Sequence, residues 1–592
     1  MNISLFTITC VVLPCWLIAH AQPNVIVMLA DDAGWGDYHS SGNMNVETPQ
    51  IDSIAKNGVS FENFYVCSVC SPTRAEFLTG RYYLRTGVHG VSLGAERLNL
   101  DERTIADSFK AAGYATGAFG KWHNGSQYPY HPRARGFDEF YGYTAGHWGE
   151  YIDPPLERNG RMERAKGYIV DACTDEAIRF IKKNKDAPFF CYVPFTTPHS
   201  PWAVPESYWT RFKDKALKQQ RPGGDETLDF TRCALAMVEN QDWNVGRILK
   251  TLEELNISDK TIVVYFSDNG PNSGRWNGGM KGRKGSVDEG GLRSVCYLRW
   301  PSNVKSGQSV NTICGAIDLM PTLLSLAEVK RVGDKPLDGL DVSPLMRGET
   351  VKWNDRMIFS VWGKQSSVRT QQYRGNAKEL YDIQADRGQT KNVAGEQSAA
   401  ANKLAIALNN WKLSLPDLTD DAKKNGTVDP RKIDIGYNVF PVTMLPARDG
   451  EPSGGITRSS SAPNCSYFIN WTSPQDKVVW NVDVQQEGDY EVTIDYTCPA
   501  SDLGSIVELS LNEASLKAKI TEAWNPPLYT NQDTVPRPKA ESHMKPFKNM
   551  KLANMHLKKG RGELTIRALE VPGETVMDLR RLTITLIKKE TR

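Results

Sequence analysis

Two nearly continuous apolar runs stand out in the first half of the chain. Residues 24–30 and 261–267 are rich in β-branched side chains and lack the polar alternation of a half-exposed strand. Such runs are typical of strands buried on both faces of a parallel sheet. Between them the pattern predicts two shorter strands, at 115–120 and 188–193, and several helices, the longest at 169–181 and 227–255. Strands that alternate with helices in this way predict an α/β architecture.

The pattern changes after about residue 414. A polar, proline-containing linker is predicted at 414–433, and short runs that alternate apolar and polar positions follow it, as at 478–484 and 490–496. Period-two alternation between glycine-containing turns predicts an antiparallel β-sandwich with its own core at 434–592. In this pattern of short strands and turns, the region resembles a carbohydrate-binding module of the galactose-binding-like class. A purely structural cap remains an equal alternative.

Composition is that of an ordinary globular protein. Of the 592 residues, 40% are hydrophobic and 24% are charged. A chain of this length needs more than one hydrophobic core. The formal net charge of +2 argues against electrostatic capture of nucleic acid, so no nucleic-acid partner is expected.

The first 21 residues have the pattern of an export signal. An apolar stretch at 3–19 ends in Ala19-His20-Ala21, which resembles a signal-peptidase site. We therefore predict a signal peptide at 1–21 and a periplasmic or secreted mature protein. No later apolar run reaches the ~20 residues that a membrane span needs. Export also permits disulfides, and Cys465 and Cys498, both in the β-rich region, are the pair that we would expect first.

Oxygen-bearing side chains follow both apolar runs. Asp31 and Asp32 come directly after the first run, and Asp268 and Asn269 come directly after the second. Ligands of open α/β sheets bind at the carboxyl ends of the strands. Carboxylate and amide oxygens suit Ca²⁺ or Mg²⁺ better than Zn²⁺, so a hard-cation site is predicted here. A solvated acidic turn is the alternative.

Cys70 stands at the predicted start of a helix. Pro72 favours a helix start, and Gly80 favours its end. The amino end of a helix attracts anions and lowers the pKa of a thiol. The local sequence therefore indicates a reactive cysteine beside an anionic group, with a small buried core residue as the alternative.

Further candidate cations lie at strand ends and in loops. Lys121 and His123 alternate at the end of the strand predicted at 115–120, and His199 lies between two prolines after the strand at 188–193. Lys284 lies in a glycine-rich loop, 282–293. Any one of these residues alone would be weak evidence for a functional site.

The run Cys70-Ser71-Pro72-Thr73-Arg74 with Leu78-Thr79-Gly80-Arg81 resembles the signature of the type I sulfatases, whose cysteine is oxidised after translation to formylglycine. Other segments resemble that family in the same order, namely Gly120-Lys121-Trp122-His123, Gly282-Arg283-Lys284-Gly285 and Glu379-Leu380-Tyr381-Asp382. The resemblance runs from about Pro23 to about Val393. It implies an alkaline-phosphatase-like fold, in which a central mixed or parallel sheet is flanked by helices. The catalytic domain would span 22–330, and a smaller antiparallel subdomain 331–413.

The resemblance also implies a role for each motif residue. Cys70, converted by a formylglycine-generating maturation enzyme, would be the nucleophile, steadied by Arg74. Lys121, Lys284 and His199 would bind the sulfate, with His199 the proton donor and His123 the base that restores the aldehyde. One calcium ion would be held by a shared set of ligands: Asp31, Asp32, Asp268, Asn269 and the modified Cys70.

A sulfated polysaccharide or oligosaccharide is the expected substrate, because export and a carbohydrate-module-like region occur together. Aromatic and arginine side chains suit sugar faces and their anionic groups, and those near the motifs are candidate contacts: His147, Trp148, Trp202, Arg275, Trp276 and Arg283. Two other functions remain open. One is phosphomonoester or phosphonate hydrolysis by the same superfamily, and the other is glycan binding by a catalytically silent protein.

Overall fold

A computed structural model describes residues 22–221, 226–349, 356–416 and 428–588. The predicted signal peptide and part of the predicted linker lie outside these residues. Thirteen strands precede residue 330 in the described chain: β1 (Asn24–Ala30), β2 (Val59–Phe61), β3 (Phe64–Tyr65), β4 (Ala115–Lys121), β5 (Glu139–Tyr143), β6 (Pro155–Arg158), β7 (Arg161–Arg164), β8 (Phe189–Pro194), β9 (Thr261–Ser267), β10 (Arg293–Ser294), β11 (Cys296–Arg299), β12 (Gln308–Val310) and β13 (Cys314–Gly315).

Helices alternate with these strands and continue into the next region. Their bounds are α1 (Pro49–Lys56), α2 (Cys70–Thr79), α3 (Ile105–Ala111), α4 (Ile169–Lys183), α5 (Glu206–Phe212), α6 (Leu228–Glu254), α7 (Glu289–Leu292), α8 (Ala316–Leu326), α9 (Ser343–Met346) and α10 (Ser398–Leu413). No helix in the described ranges is long and apolar enough to cross a membrane.

The largest sheet of the described chain has ten strands in the order β12-β2-β11-β9-β1-β8-β4-β5-β6-β7. Its centre is parallel, because β1 pairs in parallel with both β8 and β9. Successive side chains of β1 enter two different cores. Ile26 and Met28 pack with α1, α4 and α6, whereas Val25 and Val27 pack with α2, α3 and α8. Helices therefore cover both faces, as the apolar runs predict.

Strands β3, β10 and β13 form a three-stranded sheet, and the strands after residue 330 form a small sheet and a sandwich. An antiparallel sheet is built from β14 (Ile358–Trp362), β15 (Gln365–Arg369), β16 (Tyr373–Gly375) and β17 (Leu380–Asp382). Two further sheets share one apolar core. Their strands are β18 (Ile433–Ile435), β19 (Val442–Pro446), β20 (Glu451–Ser453), β21 (Thr457–Arg458), β22 (Phe468–Ile469), β23 (Lys477–Val484), β24 (Gly488–Thr497), β25 (Ile506–Leu511), β26 (Ala514–Lys519), β27 (Lys548–Leu557), β28 (Gly560–Glu570) and β29 (Asp578–Leu586).

The predicted fold class is confirmed, with local differences. Helix α2 begins at Cys70, two residues before Pro72, with Val69 at its N-cap. The described end of the predicted linker is fixed in place, because the Asp429 amide donates to the Leu93 carbonyl at 2.7 Å. The expected disulfide is absent from the described chain. Cys465 and Cys498 are free thiols, and Cys465 Sγ donates to the His147 carbonyl at 2.7 Å.

Candidate functional site

Strand register brings the two acidic motifs together. Ala30 of β1 lies opposite Ser267 of β9 in a parallel pair, so the next residues, Asp31 and Asp268, leave the sheet side by side. The Asp268 amide donates to the Ala30 carbonyl at 3.1 Å. The Asp32 amide, from a residue with φ of 67°, donates to Asp268 Oδ1 at 3.0 Å. Backbone geometry therefore fixes the carboxylates before any side chain contributes.

Two buried cations neutralise this acidic group from one side. Lys121 Nζ donates to both carboxylate oxygens of Asp31, at 2.9 and 2.7 Å. Arg74 Nη2 donates to Asp268 Oδ2 at 2.8 Å, and its Nη1 donates to the Lys121 carbonyl at 2.8 Å. All of these side chains are almost completely buried. Such a network is stable only when its charges are paired and hydrogen-bonded.

Lys284 pairs with the second carboxylate of the first acidic motif, Asp32. Its Nζ donates to Asp32 Oδ2 at 2.8 Å and lies 2.7 Å from Oδ1. Asn269 Nδ2 donates to Asp32 Oδ1 at 2.8 Å. Burial raises the pKa of Asp32, but the opposing charges of Lys284, His199 and Lys121 outweigh burial and hold that pKa well below its usual range. Asp32 is therefore a carboxylate in the folded protein.

Cys70 completes an acidic corner that is formed by Asp31, Asp32 and Asp268. As the first residue of α2 it is 2% exposed, and its Sγ and one carboxylate oxygen each of Asp31 and Asp268 lie within 4.8 Å of one another. Thr73 ties the helix start to the sheet, since its Oγ1 donates to the Asp268 carbonyl at 2.6 Å. Burial raises the pKa of the Cys70 thiol. The thiol is therefore protonated at neutral pH, which is the opposite of the reactive thiolate that the helix end alone indicates.

The donor atoms here fit a hard divalent cation. Asn269 Oδ1 is buried and has no hydrogen-bond partner within the described chain, whereas buried carbonyl oxygens are normally paired. Burial, then the charge of Asp31, raises the pKa of Asp268 to about 7. Both features indicate that Arg74, Lys121 and Lys284 do not fully satisfy this group of carboxylate and amide oxygens. Oxygens from Asp31, Asp32, Asp268 and Asn269 are the ligands that Ca²⁺ prefers.

His123 presents a lone pair inside the protein. Its Nε2 donates to the Val91 carbonyl at 2.8 Å, and its Nδ1 is buried and without a partner in the described part of the chain. Because the carbonyl accepts only from an N–H, the neutral ring leaves Nδ1 as an acceptor. Burial, then the charge of Lys121, lowers the pKa of His123 well below its usual value. A neutral ring with a free acceptor suits the base role expected from the sequence.

His199 lies beside Asp32, with its side chain 12% exposed. Its Nδ1 donates to the Ser200 carbonyl at 2.6 Å, and its Nε2 is 3.6 Å from Asp32 Oδ2. Burial, then Lys284, lowers the pKa of His199 to about 3. The ring centroid of His147 is 5.4 Å away. His147 is more deeply buried, and burial lowers its pKa to about 3 as well.

A residue that sequence reasoning missed stands beside these two histidines. Glu541 comes from the sandwich, between β26 and β27. Its Oε1 accepts a hydrogen bond from Ser200 Oγ, and its Oε2 is 3.6 Å from His147 Nε2. No local motif marks Glu541, because its place in the site depends on packing between residues more than 300 positions apart.

Two of the predicted substrate contacts are buried. Arg275 is 1% exposed, and its guanidinium is occupied by Asp37, to which Nε donates at 2.7 Å, and by the Asp32 carbonyl at 2.7 Å. These bonds position the loop that carries Asp32 and Asp37. Trp202 is 5% exposed and stacks on Phe230 at 4.3 Å. Its ring therefore belongs to the core.

The other candidate contacts lie nearer the surface. Trp148 is half-buried and stacks on Tyr143 at a centroid distance of 5.0 Å. Trp276 is half-buried against Gly36. Arg283 is exposed on the loop directly before Lys284. Contact of these three side chains with a substrate stays a prediction.

Comparisons with known proteins agree with this arrangement. The family model described as Sulfatase matches residues 23–329, just over half of the chain. The chain is 32% identical over 379 residues to N-acetylgalactosamine-6-sulfatase of Mus musculus, an alignment that covers 58% of this chain and 69% of that protein.

Solved structures show the same similarity. Ps i-CgsB in complex with k-i-k-neocarrahexaose has a TM-score of 0.60 and 29% identity, over 66% of this chain and 92% of that one. A phosphonate monoester hydrolase of Agrobacterium radiobacter, at 21% identity and a TM-score of 0.52 over 66% and 95% of the two chains, shares the fold. The chain belongs to the sulfatase family, whose members are sulfuric ester hydrolases.

Proposed function

We propose that this protein is an exported, calcium-dependent sulfatase with a formylglycine nucleophile, acting on a sulfated polysaccharide or oligosaccharide. One observation carries the proposal. The start of α2 places Cys70 against Asp31 and Asp268, while Lys121 and Lys284 donate into the same acidic corner from two sides. A nucleophile, a hard-cation site and two cations for an anionic group are thereby combined.

The chain's own residues account for binding and orientation. Lys121 and Lys284 are each within hydrogen-bond distance of a carboxylate and would pair with sulfate oxygens once a metal ion neutralises those carboxylates. Arg74, fixed by Asp268 and the Lys121 carbonyl, would orient the side chain at position 70. Burial of these groups excludes water, which strengthens every charge interaction in the site.

Two histidines would handle protons at defined atoms. The Nδ1–H of His199 is donated to the Ser200 carbonyl, so Nε2, beside Asp32, carries a proton for the leaving alcohol oxygen only in the imidazolium form, which the negative charge of a bound sulfate ester would favour. The Nδ1 lone pair of His123 would take the proton that restores the resting side chain at position 70. The two rings thus divide the acid and base roles.

Two groups would complete the site. Calcium, held by Asp31, Asp32, Asp268, Asn269 and the modified residue 70, supplies charge stabilisation at the sulfate. Cys70, once converted to formylglycine by a maturation enzyme, would supply a hydroxyl nucleophile for covalent catalysis, which divides one displacement into two easier steps.

The saccharide assignment is supported by relatives. One relative is named for N-acetylgalactosamine-6-sulfate, and one solved structure holds a neocarrahexaose. The apolar leader at residues 1–21 supports export. Both inferences concern substrate class and compartment and leave the individual sugar open.

A substrate panel tests the proposal. The purified protein is assayed for release of sulfate from sulfated oligosaccharides and from 4-nitrophenyl sulfate, and for turnover of 4-nitrophenyl phosphate and a phosphonate monoester. Sulfate esters should have the highest kcat/KM. Higher kcat/KM on the phosphorus esters would overturn the proposal in favour of the phosphohydrolase alternative. Absence of turnover on the whole panel would support a silent glycan-binding protein.

A further inference from the structure

The segment between β26 and β27, residues 520–547, leaves the sandwich and crosses the catalytic domain. The Thr534 amide donates to the Trp202 carbonyl at 3.0 Å, and the Val204 amide donates to Thr534 Oγ1 at 2.9 Å. Arg537 Nη2 donates to the Gly149 carbonyl at 3.0 Å, and Val535 is buried in the core of the large sheet. The segment therefore contacts both the loop that carries His147 and the loop that carries His199.

Glu541 is the residue of this segment that enters the catalytic site. Ser200 Oγ donates to its Oε1, and Ser200 is the neighbour of His199, whose Nδ1 donates to the Ser200 carbonyl. The carboxylate is 9% exposed. Two separate hydrogen bonds at Ser200 therefore fix the distance between Glu541 and the proposed proton donor.

The other carboxylate oxygen has no such partner. Glu541 Oε2 and both ring nitrogens of His147 are buried without a hydrogen bond in the described chain. Their separation of 3.6 Å between Oε2 and Nε2 is longer than a hydrogen bond. Buried polar atoms are nearly always paired, and leaving them unpaired is costly. Three unpartnered atoms next to His199 therefore indicate a place for the polar groups of a ligand.

We propose that Glu541 is a specificity-determining residue supplied by the sandwich, and that with His147 it binds the sugar ring that carries the scissile sulfate. Glu541 Oε2 accepts a hydrogen bond from a hydroxyl or N–H of that ring, and His147 pairs with an adjacent ring substituent. This inference rests on the proposed function. It gives the sandwich a role inside the catalytic site, distinct from glycan binding at a remote surface.

The chemistry separates saccharides from simple aryl esters. A ring hydroxyl or N–H is a donor that a carboxylate can accept, whereas 4-nitrophenyl sulfate has no donor at the corresponding position. A site built to hydrogen-bond a substrate group discriminates strongly against an analogue without it. Loss of Glu541 should therefore affect sulfated saccharides much more than the aryl sulfate.

Kinetics of three variants in the full-length, calcium-loaded enzyme test the proposal. Glu541→Ala should lower kcat/KM by about ten- to a hundredfold on a sulfated oligosaccharide that the wild type turns over, mainly through KM, and should lower it much less on 4-nitrophenyl sulfate. Glu541→Gln, which keeps one acceptor oxygen, should fall between Glu541→Ala and wild type. Glu522→Ala is the matched control, since Glu522 is an exposed carboxylate of the same segment and should behave as wild type.

The outcomes are distinct. Equal losses on both substrates, or an unchanged KM for the saccharide, would overturn the specificity role. A requirement for Zn²⁺ in addition to Ca²⁺ would also overturn it, because the ring nitrogens of His147 and His199 and a Glu541 oxygen lie within 4.8 Å of one another and would then be metal ligands. If wild type hydrolyses neither sulfate ester, the proposed function itself has failed. If only the specificity role of Glu541 is wrong, the wild type still hydrolyses the sulfate esters.

Discussion

Arg74 holds three parts of the site together at the scale of single residues. Its side chain is fully buried, and its guanidinium bonds to the Asp268 carboxylate and to the Lys121 carbonyl, at 2.8 Å each. Helix α2 and strands β4 and β9 are thereby joined by one planar group. A lysine has a single nitrogen and cannot reproduce this two-sided contact.

Replacing Arg74 should therefore affect stability as well as turnover. Arg74→Ala leaves Asp268 buried beside Asp31 without its cation, and we expect the free energy of unfolding to fall by about 3–5 kcal/mol. Denaturant titration measures the change. Arg347→Ala, which removes an exposed pair with Glu349, should change it by less than ~1 kcal/mol. Equal effects of the two substitutions would contradict the assigned role.

The oxygen ligands at the strand ends lead to a prediction about metal removal. Because Asn269 Oδ1 has no partner and Asp268 lies against Asp31, a bound cation should stabilise the folded state. Chelation of calcium should lower Tm and abolish turnover, and adding calcium back should restore both. Ligand at a hundred times Kd contributes about 2.7 kcal/mol. A Tm and turnover that are insensitive to thorough chelation would show that no divalent cation is bound here.

At the scale of secondary structure, a glycine lets β4 deliver Lys121 and His123. Gly120 has φ of 138°, and a Cβ added there would lie 1.9 Å from the Pro194 carbonyl oxygen of β8. That oxygen belongs to the backbone and cannot rotate away. Close approach of β4 to β8 at this point therefore requires glycine.

Gly120→Ala should push β4 away from β8 and displace Lys121. We expect the free energy of unfolding to fall by more than ~2 kcal/mol, with turnover reduced even where the variant is folded. Gly395→Ala is the control, because no atom lies within 4 Å of its added Cβ, and it should have near-normal stability and turnover. Wild-type turnover in Gly120→Ala would show that the close approach does not position Lys121.

Elements governed by local sequence were the predictable ones. Continuous apolar runs gave β1 and β9 with their observed bounds, since both are buried on both faces. Pro72 predicts the start of α2 two residues too late, because the helix begins at Cys70 with Val69 at its N-cap. A proline tolerated in the first turn does not mark the first position.

At the scale of the whole molecule, the sandwich is packed against the catalytic domain through many polar contacts. Gln127 Nε2 donates to Asp449 Oδ2 at 2.7 Å, and Arg580 Nη1 pairs with Glu150 at 3.1 Å. Val535 of the sandwich segment lies in the same core as β1. The two regions are therefore not expected to unfold independently.

Differential scanning calorimetry of the full chain should show one cooperative transition. The contacts that join the two regions couple their stabilities, as those of Gln127, Arg580 and Val535 do. A chain ending at residue 413 should have a lower Tm, because it exposes apolar surface that Val535 covers. Two separate transitions, with turnover retained after the first, would contradict this coupling.

Long-range packing also explains what the sequence could not predict about the site. The ligands at the strand ends can be predicted from the sequence, because sheet geometry brings them together: Asp31, Asp32, Asp268 and Asn269. The pairing of Arg275 with Asp37 could not be predicted, because the two residues are 238 positions apart.

Mass spectrometry of the peptide that contains residue 70, taken from enzyme with measured sulfatase turnover, tests whether Cys70 becomes the formylglycine nucleophile. We expect an aldehyde side chain at position 70, in a fraction of molecules that scales with specific activity, and no turnover in Cys70→Ala. An unmodified Cys70 thiol throughout fully active enzyme would contradict this expectation.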